Sequence, residues 1–218
     1  MVQIQSPRPF SQLETSFVLT TALLIAAAYL IGSIPVGVLV GRTFGFDPRA
    51  VGSGNVGMTN VARAGGKSAA AITFVGDLLK GMLPVVIAKI SGLTPTGLAL
   101  VAFAAFFGAI HSVFLQFGGG RGVATSLGIW LILAPIPVTI AAIVFAVAIA
   151  VTRIVSIGSI GAAVAIIPAV ILWGCPRAYV PLAIGISGLV LLRHRANIER
   201  LLAGEEPSIG EGKSKPAA

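Results

Sequence analysis

Seven apolar runs separated by short polar stretches constrain this chain more than any motif does. They span roughly 16–40, 68–90, 96–117, 123–134, 138–151, 154–173 and 179–192. Runs of this length, packed this closely, leave too little polar surface to cover a water-soluble core. Only 10% of the residues are charged and 56% are hydrophobic, against about 25% charged in an ordinary soluble domain. In lipid every backbone polar group must find its partner within the segment, so the runs are expected to be helices. The fold class expected is therefore all-α: a polytopic membrane bundle of about seven transmembrane helices in one domain, residues 1–210, with a disordered tail over 211–218. Pro135 and Pro137 interrupt the long apolar stretch after Val123, which favours two short helices there over one. A cleaved signal peptide fits the N-terminus poorly, because the first apolar run is too long.

Lys and Arg set the orientation. With the N-terminus outside, Arg42, Arg49, Arg63, Lys67, Arg121, Arg153, Arg193, Arg195, Arg200, Lys213 and Lys215 all lie on the cytoplasmic side. Arg8, Lys89 and Arg177 lie outside, and Lys80 falls within the second run. That asymmetry puts the C-terminus in the cytoplasm. The net charge of +8 suits anionic lipids or anionic substrates; with no soluble basic domain, nucleic acid is not an expected partner. Cys175 is the single cysteine, so no internal disulfide is possible.

Three polar stretches fall on the cytoplasmic side. The first is "GSGNVGMTNVARAGG", Gly52–Gly66. Gly52, Gly54 and Gly57 permit a backbone path in which successive N–H groups line one concavity, a form that binds anions. Ser53, Asn55, Thr59 and Asn60 add short donors, a helix starting near Thr59 aims its positive end at the same place, and Arg63 supplies a fork for phosphate oxygens. "GGKS" at Gly65–Ser68 is not a P-loop: Val61 stands where that motif needs glycine, and no strand precedes it. The second stretch, "FGGGRGVATS", offers another anion cradle through Gly119, Gly120, Arg121, Gly122 and Thr125. The third is "RHRANIERLLAGEEPSIG", Arg193–Gly210, whose first arginines read as membrane-edge anchors. Asp77 and Lys80 sit one turn apart inside the second run, and intramembrane charges are costly enough to mark function, or to form a structural ion pair. The acidic residues Asp47, Asp77, Glu205 and Glu206 make no two-carboxylate clamp, so no metal is expected, which also counts against a metal-dependent alcohol phosphotransferase. A small-anion transporter or channel is the other class, since glycine-broken helices are common in those. Clustering of the polar stretches on one side, with no internal repeat, counts against it.

"GSIPVG", "GSGNVGMTNVAR", "GDLLKG", "GGRGVAT" and "RHRANIERLLAGEEPSIG" together resemble the bacterial acyl-phosphate:glycerol-3-phosphate acyltransferases over about residues 20–210. The resemblance implies an inner-membrane enzyme with its site facing the cytoplasm. It would transfer a fatty acyl group from acyl phosphate to the 1-hydroxyl of sn-glycerol 3-phosphate, giving lysophosphatidic acid and phosphate, the first acylation of phospholipid synthesis. No cofactor is implied. Position by position it matches Ser53, Asn55, Thr59, Asn60, Arg63, His194, Asn197, Arg200 and Glu206. Together with the residue reading above, this puts Ser53, Arg63, Lys80 and Arg121 in catalysis. Gly52, Gly54, Asn55, Gly57, Thr59, Asn60, Gly119, Gly120, Gly122, Thr125, His194 and Asn197 fall in substrate binding, and Asp77 and Glu206 in structure. The second stretch departs from the family pattern: Ala109 stands where a histidine belongs, Gly118 where a basic residue is common, and Arg121 replaces a lysine. His111 lies two residues on, rotated by about 200° on a helix, so it is not expected to substitute. An acyl phosphate is already activated, and a phosphate oxygen of the donor can take the proton, so slower but real catalysis, or a compensating base, is expected. Ser53, with no base assured beside it, is expected to donate a hydrogen bond rather than to attack. Alanine at Gly119, Gly120 or Gly122 is expected to raise KM for glycerol 3-phosphate more than it lowers kcat, as steady-state kinetics would read.

Overall fold

A computed structural model describes residues 10–209, with side chains from Phe17 onward; the polar extreme N-terminus and the tail over 211–218 lie outside the described residues. Every regular element among them is helical: α1 Phe10–Ser33, α2 Val36–Thr43, α3 Met58–Ile90, α4 Pro95–Ile110, a 3₁₀ turn Val113–Leu115, α5 Val123–Leu133, α6 Pro135–Thr152, α7 Val155–Leu172, α8 Tyr179–Arg193 and α9 Arg195–Leu202. Five stretches are long and apolar enough to cross a membrane: Phe17–Thr43, Met58–Ile90, Pro95–Leu115, Pro135–Thr152 and Val155–Leu172. Val123–Leu133 and Tyr179–Arg193 are apolar but shorter.

Breaks fall where the sequence removes a donor or permits an unusual backbone. Pro35 separates α1 from α2. Ala134 ends α5, and Pro135 starts α6 at the first helical position, where its missing N–H costs nothing. Gly66, at φ 79° and ψ −172°, splits α3 into a short first arm and a long second one, a conformation that a side chain would strain. Arg63 and the residues before it thus belong to an arm that need not follow the membrane-crossing axis.

The central helix is α4, which packs along α1 and touches α3, α5 and α8. Its Val101, Ala102, Ala105, Phe106 and Ile110 are fully buried, against Val85 and Ala88 of α3, Ile129 of α5 and Ala183 of α8. Lipid tails are as apolar as the side chains, so helix pairs gain from close backbone approach rather than from water exclusion. The pairs are built accordingly. A Cβ at Gly32 of α1 would collide with the Ala105 carbonyl of α4, and one at Gly81 of α3 with the Thr125 carbonyl of α5. Hydrogen bonds add to this: the Ser187 hydroxyl of α8 donates to the Ala163 carbonyl of α7, and Tyr29 Oη donates to the His111 carbonyl at 3.0 Å. Helices α6 and α7 pair with each other and α8 joins α7 to α4. The resulting wedge between α3–α5 and α6–α8 holds the main cavity.

Gly81 tests this packing. Replacement by Val forces the Thr125 carbonyl aside, an overpacking worth about 1–3 kcal/mol, and the melting temperature in detergent should drop by several degrees, about 2–4 °C per kcal/mol. Gly188→Ala, where a Cβ meets no atom within 4 Å, should leave it unchanged or slightly higher.

Candidate active site

The first polar stretch is a loop sutured from below by the helix that follows it. Asn60, 2% exposed, donates through Nδ2 to the Pro48 carbonyl at 2.7 Å and the Val51 carbonyl at 2.9 Å, while its Oδ1 accepts the Ser53 N–H at 3.0 Å. Its amide is thereby committed to shaping the loop, which changes its expected role from substrate contact to scaffold. Asn55 closes a local turn by accepting the Gly57 N–H at 2.9 Å. Gly52 and Gly54 have φ of 58° and 68°. Gly57 precedes α3 without a side-chain cap, so the first-turn N–H groups of α3 end beside the cavity that Gly57, Met58 and Thr59 line.

In the second stretch the chain leaves α4, turns, and starts α5 at Val123. The Ser112 N–H bonds the Gly118 carbonyl at 2.8 Å and the Gly120 N–H bonds the Ala109 carbonyl at 3.1 Å. A Cβ on Gly119 would sit 2.6 Å from the Ile110 carbonyl oxygen, and one on Gly122, at φ 75°, would strike the Phe106 ring. Gly120 differs: the nearest atom to a Cβ there is 3.7 Å away and belongs to Val56, with Asn55 Oδ1 just beyond. The three glycines are therefore not equivalent. Alanine at 119 or 122 displaces the loop, whereas alanine at 120 only intrudes on the space beside Asn55. Ala109 lines the cavity and contributes only its carbonyl. His111 points elsewhere. Its ring stacks on Phe107 at 4.7 Å, its Nδ1 is buried without a hydrogen bond, and it lines neither cleft. It is a bundle histidine and takes no place at the site.

The third stretch folds back on itself. Beyond α9, Glu206 returns to accept from Ser156 Oγ of α7 at 2.8 Å, from Asn197 Nδ2, and from Arg200 Nε at 2.7 Å. Burial pushes its carboxyl up, but those three hydrogen bonds and the Arg200 charge outweigh burial and hold it below the ordinary carboxylate range. The Ile209 N–H bonds the Arg153 carbonyl at 2.8 Å, so this segment straps α9 to the α6–α7 turn. A carboxylate only accepts, so Asn197 must present Nδ2 to it; Oδ1 is left buried and without a partner. His194 is 1% exposed and its Nδ1 lies 2.8 Å from the Val190 carbonyl, which fixes the proton on Nδ1 and leaves Nε2 an acceptor. Burial lowers its pKa to about 4, with the Arg121 charge adding to the effect and the Val190 bond opposing it.

These three stretches meet at one cavity of about 790 Å³. All of the sequence-predicted site residues line it except Gly54 and Gly119, which line an adjoining polar cleft of about 490 Å³. Lys80 reaches it already occupied: Nζ is 2.9 Å from Asp77 Oδ1 and donates to the Ile34 carbonyl at 3.2 Å. That ties α3 to the α1–α2 break and gives the pair a structural job. Arg121 is the most telling charge. Burial lowers its pKa to about 10; Arg200, Arg63 and Arg193 push the same way, and Glu206 opposes them. Arg63, Arg121 and Arg200 line this end of the cavity with Glu206, and three fixed cations beside one carboxylate in a low-dielectric pocket suit multiply charged anions. Two further acceptors belong to residues lining this end, Asn197 Oδ1, buried without a partner, and His194 Nε2. Sequence reading missed Ser156, which carries no local signal, and the apolar arm formed by Trp130, Ala141, Phe145, Ala162 and Ile166. It also took Arg193 for a membrane anchor, whereas Arg193 bonds the glycine loop.

The family model described as glycerol-3-phosphate acyltransferase matches residues 22–204. The chain belongs to the glycerol-3-phosphate acyltransferase family. It is an integral membrane acyltransferase of that family. It is 46% identical to the glycerol-3-phosphate acyltransferase of Trichlorobacter lovleyi over 84% of this chain and 94% of that one. It is 45% identical to that of Thioalkalivibrio sulfidiphilus over 88% and 95%. Among solved structures it resembles PlsY (YgiH), an integral membrane glycerol 3-phosphate acyltransferase, in its glycerol 3-phosphate form: TM-score 0.85 and 38% identity, covering 88% of this chain and 96% of that one. The lysophosphatidic acid form of PlsY matches with TM-score 0.83.

His194 makes the fold pH-dependent in a definite direction. The unfolded imidazole takes a proton below about 6.5, the folded one only below about 4, so stability is lost as pH falls through that window and is unaffected above it. The melting temperature should decline between pH 6.5 and 4, and His194→Gln should flatten that decline in a thermal-shift series.

Proposed function

We propose that this protein transfers a fatty acyl group from acyl phosphate to the 1-hydroxyl of sn-glycerol 3-phosphate, directly and without an acyl-enzyme, releasing lysophosphatidic acid and inorganic phosphate. The observation that carries this reading is the joining of two chemistries in one cavity. Arg63, Arg121 and Arg200 crowd its polar end, while an apolar arm runs between α5, α6, α7 and α8. Counted along α7 from Val155 to Ile166, that arm reaches about 16 Å from the polar end, a depth suited to a long acyl chain. Phosphate at one end and a hydrocarbon at the other describe an acyl phosphate; the second phosphate and the hydroxyls of glycerol 3-phosphate match the remaining cations and the acceptors Asn197 Oδ1 and His194 Nε2. The polar end faces the cytoplasm of a bacterial inner membrane, as the Lys and Arg asymmetry supports. Counting the two short apolar helices as spans gives seven.

In this reading the 1-hydroxyl oxygen attacks the acyl carbonyl carbon, the new C–O ester bond forms, and the C–O bond to phosphate breaks. The hydroxyl proton goes to a phosphate oxygen of the donor, because the one cavity histidine is held far below neutral basicity. Arg121 and Arg63 stabilise the departing phosphate, and the donors of the Gly52–Gly57 loop with Ser53 orient the acyl phosphate. Ser53 acts as a donor. Its backbone is fixed by Asn60, and no base in hydrogen-bonded register with it supports a nucleophilic role. Among the described residues no group of three His, Cys, Asp or Glu gathers to hold a metal.

Purified protein given palmitoyl phosphate and glycerol 3-phosphate should release phosphate at a rate unaffected by EDTA. Initial rates should give intersecting lines, and acyl phosphate alone should leave the protein mass unchanged; a turnover-competent acyl adduct would replace direct transfer by a covalent route. In sealed vesicles, label from glycerol 3-phosphate should enter lipid; its accumulation in the lumen would favour a transporter instead. Arg63→Ala should reduce turnover by about 10²-fold or more through loss of a charge-assisted phosphate contact, with Arg63→Lys rescuing poorly for want of the fork. Wild-type turnover in Arg63→Ala would remove Arg63 from the site.

A further inference from the structure

We infer that Arg193 is a positioning residue that holds the glycine loop so that the Arg121 backbone N–H is aimed at substrate phosphate. It closes α8, and its guanidinium forks onto two consecutive carbonyls: Nη2 donates to Gly119 O at 2.6 Å and Nε to Gly120 O at 3.1 Å. A trans peptide holds its C=O and N–H on opposite sides, so fixing a carbonyl fixes the direction of the next residue's N–H. The Gly119–Gly120 peptide is held at both ends, since the Gly120 N–H bonds the Ala109 carbonyl at 3.1 Å. In the Gly120–Arg121 peptide the carbonyl faces Arg193. The Arg121 N–H therefore points the other way, and it has no backbone partner among the described residues. Gly120, Arg121 and Gly122 line the main cavity, and Arg193 does not; Arg193 lines the adjoining cleft behind the loop. The arrangement is thus a cation behind two consecutive carbonyls, with one unpaired N–H, that of Arg121, turned away from it toward the cavity. It orients that donor and polarises it, and it reaches no substrate in that cavity itself. Because His194 follows directly, the same helix end sets both the loop and the hydroxyl-facing imidazole.

This inference rests on the acyl-transfer reading above, and its test separates the two. Steady-state kinetics are run on the full chain in detergent with palmitoyl phosphate and glycerol 3-phosphate, with inorganic phosphate as competitive inhibitor. In Arg193→Gln, KM for glycerol 3-phosphate and Ki for inorganic phosphate should both rise about tenfold, with kcat held within about threefold. Arg193→Lys keeps the charge but not the fork and should fall between. Arg195→Gln is the charge control. Arg195 lines the same cleft but pairs with Glu199 at 3.0 Å and does not bond the loop, so this variant should behave as wild type. Unchanged KM and Ki in Arg193→Gln overturn the proposal, as does an equal rise in Arg195→Gln, which would assign the effect to bulk charge. A collapse of kcat together with melting temperature in Arg193→Gln would leave Arg193→Lys decisive: wild-type constants in that folded variant overturn the inference. An inactive wild type would instead overturn the acyl-transfer reading.

Discussion

Mutual repulsion among arginines is the constraint on which the site depends. Arg63, Arg193 and Arg200 all act on Arg121, and one carboxylate, Glu206, offsets them. Like charges at such range in a partly desolvated pocket are unfavourable in the protein alone, so the fold has to hold them there. It does so by giving two of the four a second partner. Arg200 is held by Glu206, and Arg193 by two carbonyls. What remains unbalanced is positive potential facing the cavity, which the two phosphate groups of the proposed pair of substrates would neutralise.

Holding that geometry falls to close backbone packing and to strap-like hydrogen bonds, since lipid provides no hydrophobic drive between helices. Contacts at Gly32, Gly81 and Gly119 bring neighbouring backbones together where a methyl group would not fit. Buried side-chain bonds then fix register: Asn60 within the first loop, and Glu206 across α7 and α9. The Asp77–Lys80 pair belongs with these. It spends a costly buried charge on the broken end of α1, where the Ile34 carbonyl accepts, among the backbone donors of the described residues, only the nearby Val36 N–H at 3.0 Å because the Val38 N–H bonds the Pro35 carbonyl instead.

The second stretch shows a loop contact that does not depend on the side chain standing there. At Ala109, where the resemblance implies a histidine, the contact with the loop runs through the carbonyl, which accepts the Gly120 N–H, and His111 stacks away on Phe107. A donor that carries its own leaving group and its own proton acceptor asks the protein for position and charge, not for a base.

Much of this was legible in the chain itself. The apolar runs determine an all-helical membrane protein, because their length and lack of charge leave no other way to satisfy the backbone. The polar stretches with glycine, asparagine and arginine point to an anion site, because those residue types supply N–H groups and fixed charge in any fold. Other features required the tertiary structure. That Asn60 shapes the loop, that Arg193 bonds carbonyls rather than lipid headgroups, and that Ser156 reaches Glu206 are pairings between residues 7 to 74 apart in sequence, and no local pattern encodes the partner. The apolar arm is decided the same way. Trp130, Phe145 and Ile166 read as ordinary lipid-facing or core residues, and only the wedge between helix pairs makes them the wall of a cavity.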